Sequence, residues 1–289
     1  MLSVTAGLEG LKVKVFRLRI IYGSLLIVFI AAALLLDQWL GGDVAFTILF
    51  GLFAVIATRE IFDMTRQHGH TPFSTLGTMT VAALVAAYWL DNTFVGKTRW
   101  VYIIAFLFIM GLFLCQAFLS PRQAGLVSMS LTVFAVFYVW VLGGFIQRLN
   151  SLDGIGLRCV LVFLVTVKIA DMGGYAVGKS LGRHHPFKTL SPAKTTEGYA
   201  AGLVLSIAAG VTCGLLLLEG FAWYHWVGFG ALMWFFGSLG DLFESVIKRD
   251  LDVKDSASLI PGLGGVFDQL DSVLLAGPAA YIMLTRLVQ

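Results

Sequence analysis

Long apolar runs constrain this chain more than any other feature. Nine segments, 20–36, 44–62, 73–90, 100–119, 125–146, 157–177, 198–218, 222–240 and 266–287, are dominated by aliphatic and aromatic residues. A hydrocarbon core about 30 Å thick takes roughly 20 residues of helix to cross. Inside lipid each backbone N–H and C=O must be satisfied within its own segment, so runs of this kind are read as helices. The expected fold class is all-α: a polytopic integral membrane protein of about nine transmembrane helices. Composition points the same way. The chain is 58% hydrophobic and 13% charged, against about 25% charged in a soluble domain, and its mean hydropathy is +0.87.

Charge placement carries more than charge total. The formal net charge of +3 gives no reason to expect nucleic acid as a partner. Cys115, Cys159 and Cys213 lie in or beside apolar runs with no ligand spacing, and read as packing residues. The basic segment Lys12–Arg19 precedes the first apolar run as in a signal peptide, but no convincing cleavage site follows, so the run is expected to be retained as the first helix. With the N-terminus in the cytoplasm, fourteen Lys and Arg residues fall on the inner side and five on the outer. This bias puts both long polar connections, 178–197 and 241–265, in the cytoplasm. Trp89, Trp100, Trp223 and Trp226 stand near span ends, as interfacial anchors do.

Four constellations could do chemistry. Asp241, Glu244, Ser245 and Lys248 are spaced i, i+3, i+4, i+7, which puts them on one face of a helix continuing from the eighth run. Two acids and a lysine there can hold a hard cation together with a phosphate. Solvated ion pairs at a helix end would give the same pattern. Asp268 and Asp271 open the ninth run. Capping explains one acid at a helix N-terminus better than two, which favours metal ligation. Between these groups lies Pro261-Gly262-Leu263-Gly264-Gly265, a turn whose backbone can approach a ligand closely and whose following helix turns its positive end the same way. Lys168 and Asp171 lie three apart inside the sixth run, where ionisable residues are functional candidates. Their face continues to Tyr175 and Lys179. Finally, Ser191-Pro192 suits a helix start before Lys194 and Glu197. His184 and His185 lack metal spacing.

These residues carry a resemblance. The sequence resembles the phosphatidate cytidylyltransferases, or CDP-diacylglycerol synthases, over roughly 168–272. Their C-terminal motif is matched in register by Ser245, Lys248, Arg249, Lys254, Asp255, Pro261, Gly262, Gly264, Gly265, Asp268 and Asp271, preceded by Gly240, Asp241 and Glu244. Earlier elements are matched at Asp171, Tyr175 and Gly178, and at Ser191, Pro192, Lys194, Thr195, Glu197 and Gly198. Three positions depart from the pattern: Leu263 stands for His, Gln269 for Arg and Thr196 for Trp. The first two remove groups that could handle phosphate.

The resemblance implies a division into N-terminal transmembrane helices, 1–150, and a catalytic region with cytoplasmic loops, 151–289. It implies an inner or plasma membrane enzyme that transfers the cytidylyl group of CTP to phosphatidic acid. A homodimer, Mg²⁺ and a possible second, monovalent cation go with it. Asp241, Asp268 and Asp271 would bind the metal, with Lys248 also catalytic. Lys179, Ser191, Lys194, Ser245, Arg249, Lys254, Gly264 and Gly265 would hold substrate. Lys168, Asp171, Glu197, Glu244 and Asp255 would orient these groups. The rival readings are a CTP-dependent polyprenol or phytol kinase, an inactive or divergent paralogue, and a transporter using Lys168 and Asp171 as its coupling pair.

Overall fold

The computed structural model describes residues 28–94, 99–118, 125–152, 154–187, 190–257 and 264–288. Pro261, Gly262 and Leu263, with Lys12, Lys14, Arg17, Arg19, Lys97, Arg122 and Lys188, lie outside the described residues. Among the described residues the chain is helical throughout: α1 (Val28–Leu40), α2 (Val44–Gln67), α3 (Ser74–Thr93), α4 (Trp100–Phe118), α5 (Gly125–Asn150), α6 (Gly156–Leu181), α7 (Thr196–Leu217), α8 (Trp223–Asp250) and α9 (Val266–Val288). Seven of these, α2 and α4–α9, are long and apolar enough to cross a membrane. The protein is therefore an all-helical, polytopic membrane protein. The expected nine spans come down to seven on this measure. α1 is short over its described residues. α3 has the length, but Ser74, Thr75, Thr78, Thr80, Asp91 and Asn92 dilute its apolar content.

Helices outrun the apolar segments that announced them. α2 continues to Gln67, α6 to Leu181 and α8 past residue 240 to Asp250. Hydropathy marks where a helix leaves lipid, whereas its backbone hydrogen bonds and i, i+4 side-chain pairs carry it further. The extension of α8 is the one that matters, because it holds Asp241, Glu244 and Lys248 on a rigid element.

Glycine sets the spacing of α6, α7 and α8. A Cβ at Gly174 on α6 would come 3.1 Å from the Gly198 carbonyl oxygen on α7. One at Gly230 on α8 would come 2.6 Å from Ile207 Cα. Membrane helices gain little from burying apolar surface, since lipid tails are equally apolar, and close backbone approach between small residues takes over. Ser206 adds a hydrogen bond from its Oγ to the Gly230 carbonyl, 2.8 Å. Trp226 was expected as an interfacial anchor. It is instead fully buried, edge-on to Phe229, in the space left by Gly214.

α9 joins the two halves of the chain. It packs on α8, and on its other side against α2 and the end of α5. One turn of α5, Phe137–Val141, widens to a π-helix. Tyr138 in that turn stacks on Phe243 of α8 at 5.5 Å and meets Phe267 of α9 edge-on at 5.8 Å. Three helices are thus pinned by aromatic contact beside the charged groups described next.

Candidate active site

Three carboxylates meet where α8 and α9 pack. One oxygen from each of Asp241, Glu244 and Asp271 lies within 4.8 Å of the others. Glu244 and Asp271 are buried, at 2% and 9% exposure. The helical repeat brings Asp241 and Glu244 onto one face, and Gly240 allows α9 to approach, since a Cβ there would collide with the Asp271 backbone. Three carboxylates this close call for counter-charge: Lys194 and Lys248 pair with two of them, and Lys168 pairs with the neighbouring Asp171. Lys194 Nζ lies 2.6 Å from Asp241 Oδ2. Lys248 Nζ lies 2.8 Å from Glu244 Oε1 and 3.2 Å from Asp268 Oδ1. Lys168 Nζ, 3.8 Å from Asp171 Oδ2, donates to the Gln269 carbonyl at 2.9 Å and to Ser272 Oγ at 3.3 Å. Ser272 Oγ in turn donates to Asp171 Oδ2 at 2.7 Å. The Lys168–Asp171 pair is thereby tied to α9 rather than standing alone in its helix.

The sequence grouped Asp268 with Asp241 and Asp271. The structure gathers Glu244 with those two, and turns Asp268 toward Lys248 and the preceding loop. Asp268 Oδ2 accepts from Gly265 N at 2.8 Å and from Ser256 N at 3.1 Å. An acid three residues into a helix that reaches back to the N–H of the cap residue is half of a capping box. Glycine is required in this turn. Gly264 has φ +85° and Gly265 has no room for a Cβ between Ser256 and Glu60.

Glu60 was missed by the sequence reading. It lies on α2, 4% exposed. It accepts hydrogen bonds from Val266 N at 2.9 Å, Phe267 N at 2.7 Å and Ser256 Oγ at 3.0 Å. The first donors of α9, expected to face an anion, are therefore already taken by two carboxylates. A signal was present: an acid at the end of an apolar run is a candidate for function. Its partners are some 200 residues away in sequence, so nothing local identified it.

The remaining expected residues spread over the same end of the bundle. Ser191 and Lys194 line a cavity of about 230 Å³ between α6, α7 and α8, together with Asp171 and Asp241. Lys179 lies over the Tyr175 ring at 5.6 Å. Ser245 is buried, at 9% exposure. Glu197 does not reach Lys194. It takes the N–H groups of Arg183 and His184, at 3.1 and 3.3 Å, and His184 Nδ1 at 2.6 Å. Arg249 donates to the Leu190 carbonyl at 3.3 Å, which straps one polar loop to α8. Lys254 and Asp255 are exposed.

An acid–lysine cluster thus lies where long apolar helices meet, beside this cavity. A family profile described as the Cytidylyltransferase family matches residues 17–287, and the chain belongs to that family. It is 36% identical over 186 residues to the phosphatidate cytidylyltransferase of Mycobacterium bovis, covering 62% of this chain and 60% of the relative. It is 35% identical over 150 residues to that of Bacillus subtilis, covering 52% and 56%. The chain thus spans somewhat over half the length of these two relatives. With the Staphylococcus aureus phosphatidate cytidylyltransferase it shares 29% identity over 264 residues, covering 89% of this chain and 96% of the relative.

Proposed function

We propose that this chain transfers the cytidylyl group of CTP to phosphatidic acid, giving CDP-diacylglycerol and pyrophosphate for phospholipid synthesis. The observation that carries the reading is the set of three carboxylates interleaved with three lysines where α6, α8 and α9 meet. Family membership and the names of the relatives support it. In the reaction a lipid phosphate oxygen forms a bond to the α-phosphorus of CTP, and the bond from that phosphorus to the bridging oxygen of the β-phosphate breaks. The nucleophile is already anionic near neutral pH, so the work is positioning and charge neutralisation. Lys194 and Lys248 would take phosphate oxygens, with Ser191 in the cavity wall. Lys168, Asp171 and Asp268 would hold α9 in place.

Asp241, Glu244 and Asp271 fit a hard divalent cation such as Mg²⁺: all three offer carboxylate oxygens, converging within one coordination sphere. When bound, such an ion offsets charge on the triphosphate. Lys194, whose ammonium lies 2.6 Å from Asp241 Oδ2, would share that carboxylate with the cation. The lysine and arginine bias supports a cytoplasmic site and N-terminus, where CTP is available.

The test uses detergent-purified protein with phosphatidic acid, Mg²⁺ and CTP labelled at the α-phosphorus. Label is expected in the lipid fraction with release of pyrophosphate, and Asp241→Asn is expected to abolish it while leaving folded protein. Label remaining in free CDP beside a phosphorylated alcohol lipid would establish the kinase reading instead.

A further inference from the structure

Lys168 stands midway along the 26 residues of α6, where an ionisable group is costly and calls for a reason. Its ammonium has three N–H donors, and oxygen meets it from three sides. Nζ donates to the Gln269 carbonyl at 2.9 Å and to Ser272 Oγ at 3.3 Å, and Asp171 Oδ2 lies 3.8 Å away. The Ser272 hydroxyl donates in turn to Asp171 Oδ2 at 2.7 Å, which closes the ring. A carbonyl, a hydroxyl and a carboxylate are also the kind of oxygens that replace water around a small monovalent cation.

Placement matters as much as the ligand set. Gln269 and Ser272 stand in the first two turns of α9 and bracket Asp271, one of the three convergent carboxylates. Asp171 lines the same cavity as Asp241. A single positive charge here pins the segment that carries Asp271 and offsets part of the acid charge around it. We propose that the Lys168 ammonium acts as a tethered monovalent cation, a positioning group that holds Asp271 in place and frees the chain from any need for free potassium or ammonium. This rests on the cytidylyl-transfer reading above. The Lys168 side chain is 34% accessible, so a free ion of similar size can reach the same oxygens once the ammonium is removed.

Lys168→Met keeps the apolar stem and removes only the ammonium; Lys168→Ala is the second variant. Each is compared with the parent, purified in detergent, in ammonium, potassium and tetramethylammonium chloride at equal ionic strength. Thermal midpoint and turnover with CTP and phosphatidic acid are both read. The parent is expected to give the same values in all three salts. In the bulky tetramethylammonium salt the variants are expected to lose about tenfold in turnover, the scale of one or two charge-assisted hydrogen bonds, and to melt several degrees lower. Ammonium or potassium should restore both, saturating with concentration. A parent that needs potassium overturns the proposal, as do variants that answer equally to small and bulky cations. The parent comparison needs no variant, so a misfolded substitution leaves the test standing. Midpoint rescue with no CDP-lipid formed in any salt would keep the cation role and remove the reaction proposed for the site.

Discussion

Glu60 shows what one side chain can do from a distance. Its carboxylate accepts two backbone N–H groups of α9 and the Ser256 hydroxyl, all in a buried setting. Replacing it with alanine strands those donors, at about 1–3 kcal/mol for each unsatisfied group. Glu60→Ala is expected to lower the thermal midpoint in detergent and to reduce turnover in the proposed reaction, because Asp268 and Asp271 ride on the helix it caps. Glu60→Gln keeps one acceptor and should be milder in both. An unchanged midpoint for Glu60→Ala would mean that water replaces the carboxylate at no cost. Glu60 carried little weight in the sequence, where it is a single acid at the end of an apolar run. Asp241, Glu244 and Lys248 were legible, since a helical repeat of charge beside an oily segment is a local pattern.

At the scale of elements, α6, α7 and α8 hold the cavity open only because their glycines let the backbones close elsewhere. Gly230 is the sharpest case, with backbone atoms of Ile207 and Ser206 where a side chain would begin. Gly230→Val is expected to force α7 and α8 apart and destabilise the protein. The loss is larger than the few tenths to 1 kcal/mol that propensity alone would give. Thermal unfolding of the purified variant checks this, and a midpoint equal to the parent's would show that α7 and α8 can part at no cost. The sequence shows 32 glycines, many of them inside apolar runs, so close packing was legible there. Which glycine faces which helix was not, because all three helices carry several.

For the whole molecule, the polar loops and the acid–lysine cluster lie at one end of the bundle. The lysine and arginine bias is what supports the proposed cytoplasmic side for that end. Asp252 is exposed in the loop after α8. In a background with Cys115, Cys159 and Cys213 replaced, Asp252→Cys is expected to react with a membrane-impermeant thiol reagent only after the cells are opened. Labelling of intact cells would invert the topology and remove the site from its supply of CTP.

Taken alone, the sequence determined the solvent and the family. Long apolar runs can only be helices in lipid, and a dense motif of acids, lysines and glycines names the family and locates its charged groups along the chain. Tertiary structure decided the partnerships. Glu244 rather than Asp268 joins Asp241 and Asp271, Glu60 reaches α9 from the other half of the chain, and the N–H groups of α9 are spent on carboxylates. Trp226 packs inside rather than at the interface. The reason is range. Hydropathy and helical periodicity act within a few turns. Pairing of charges and donors depends on which helix faces come together in space, and in a bundle of similar oily helices that is settled by packing.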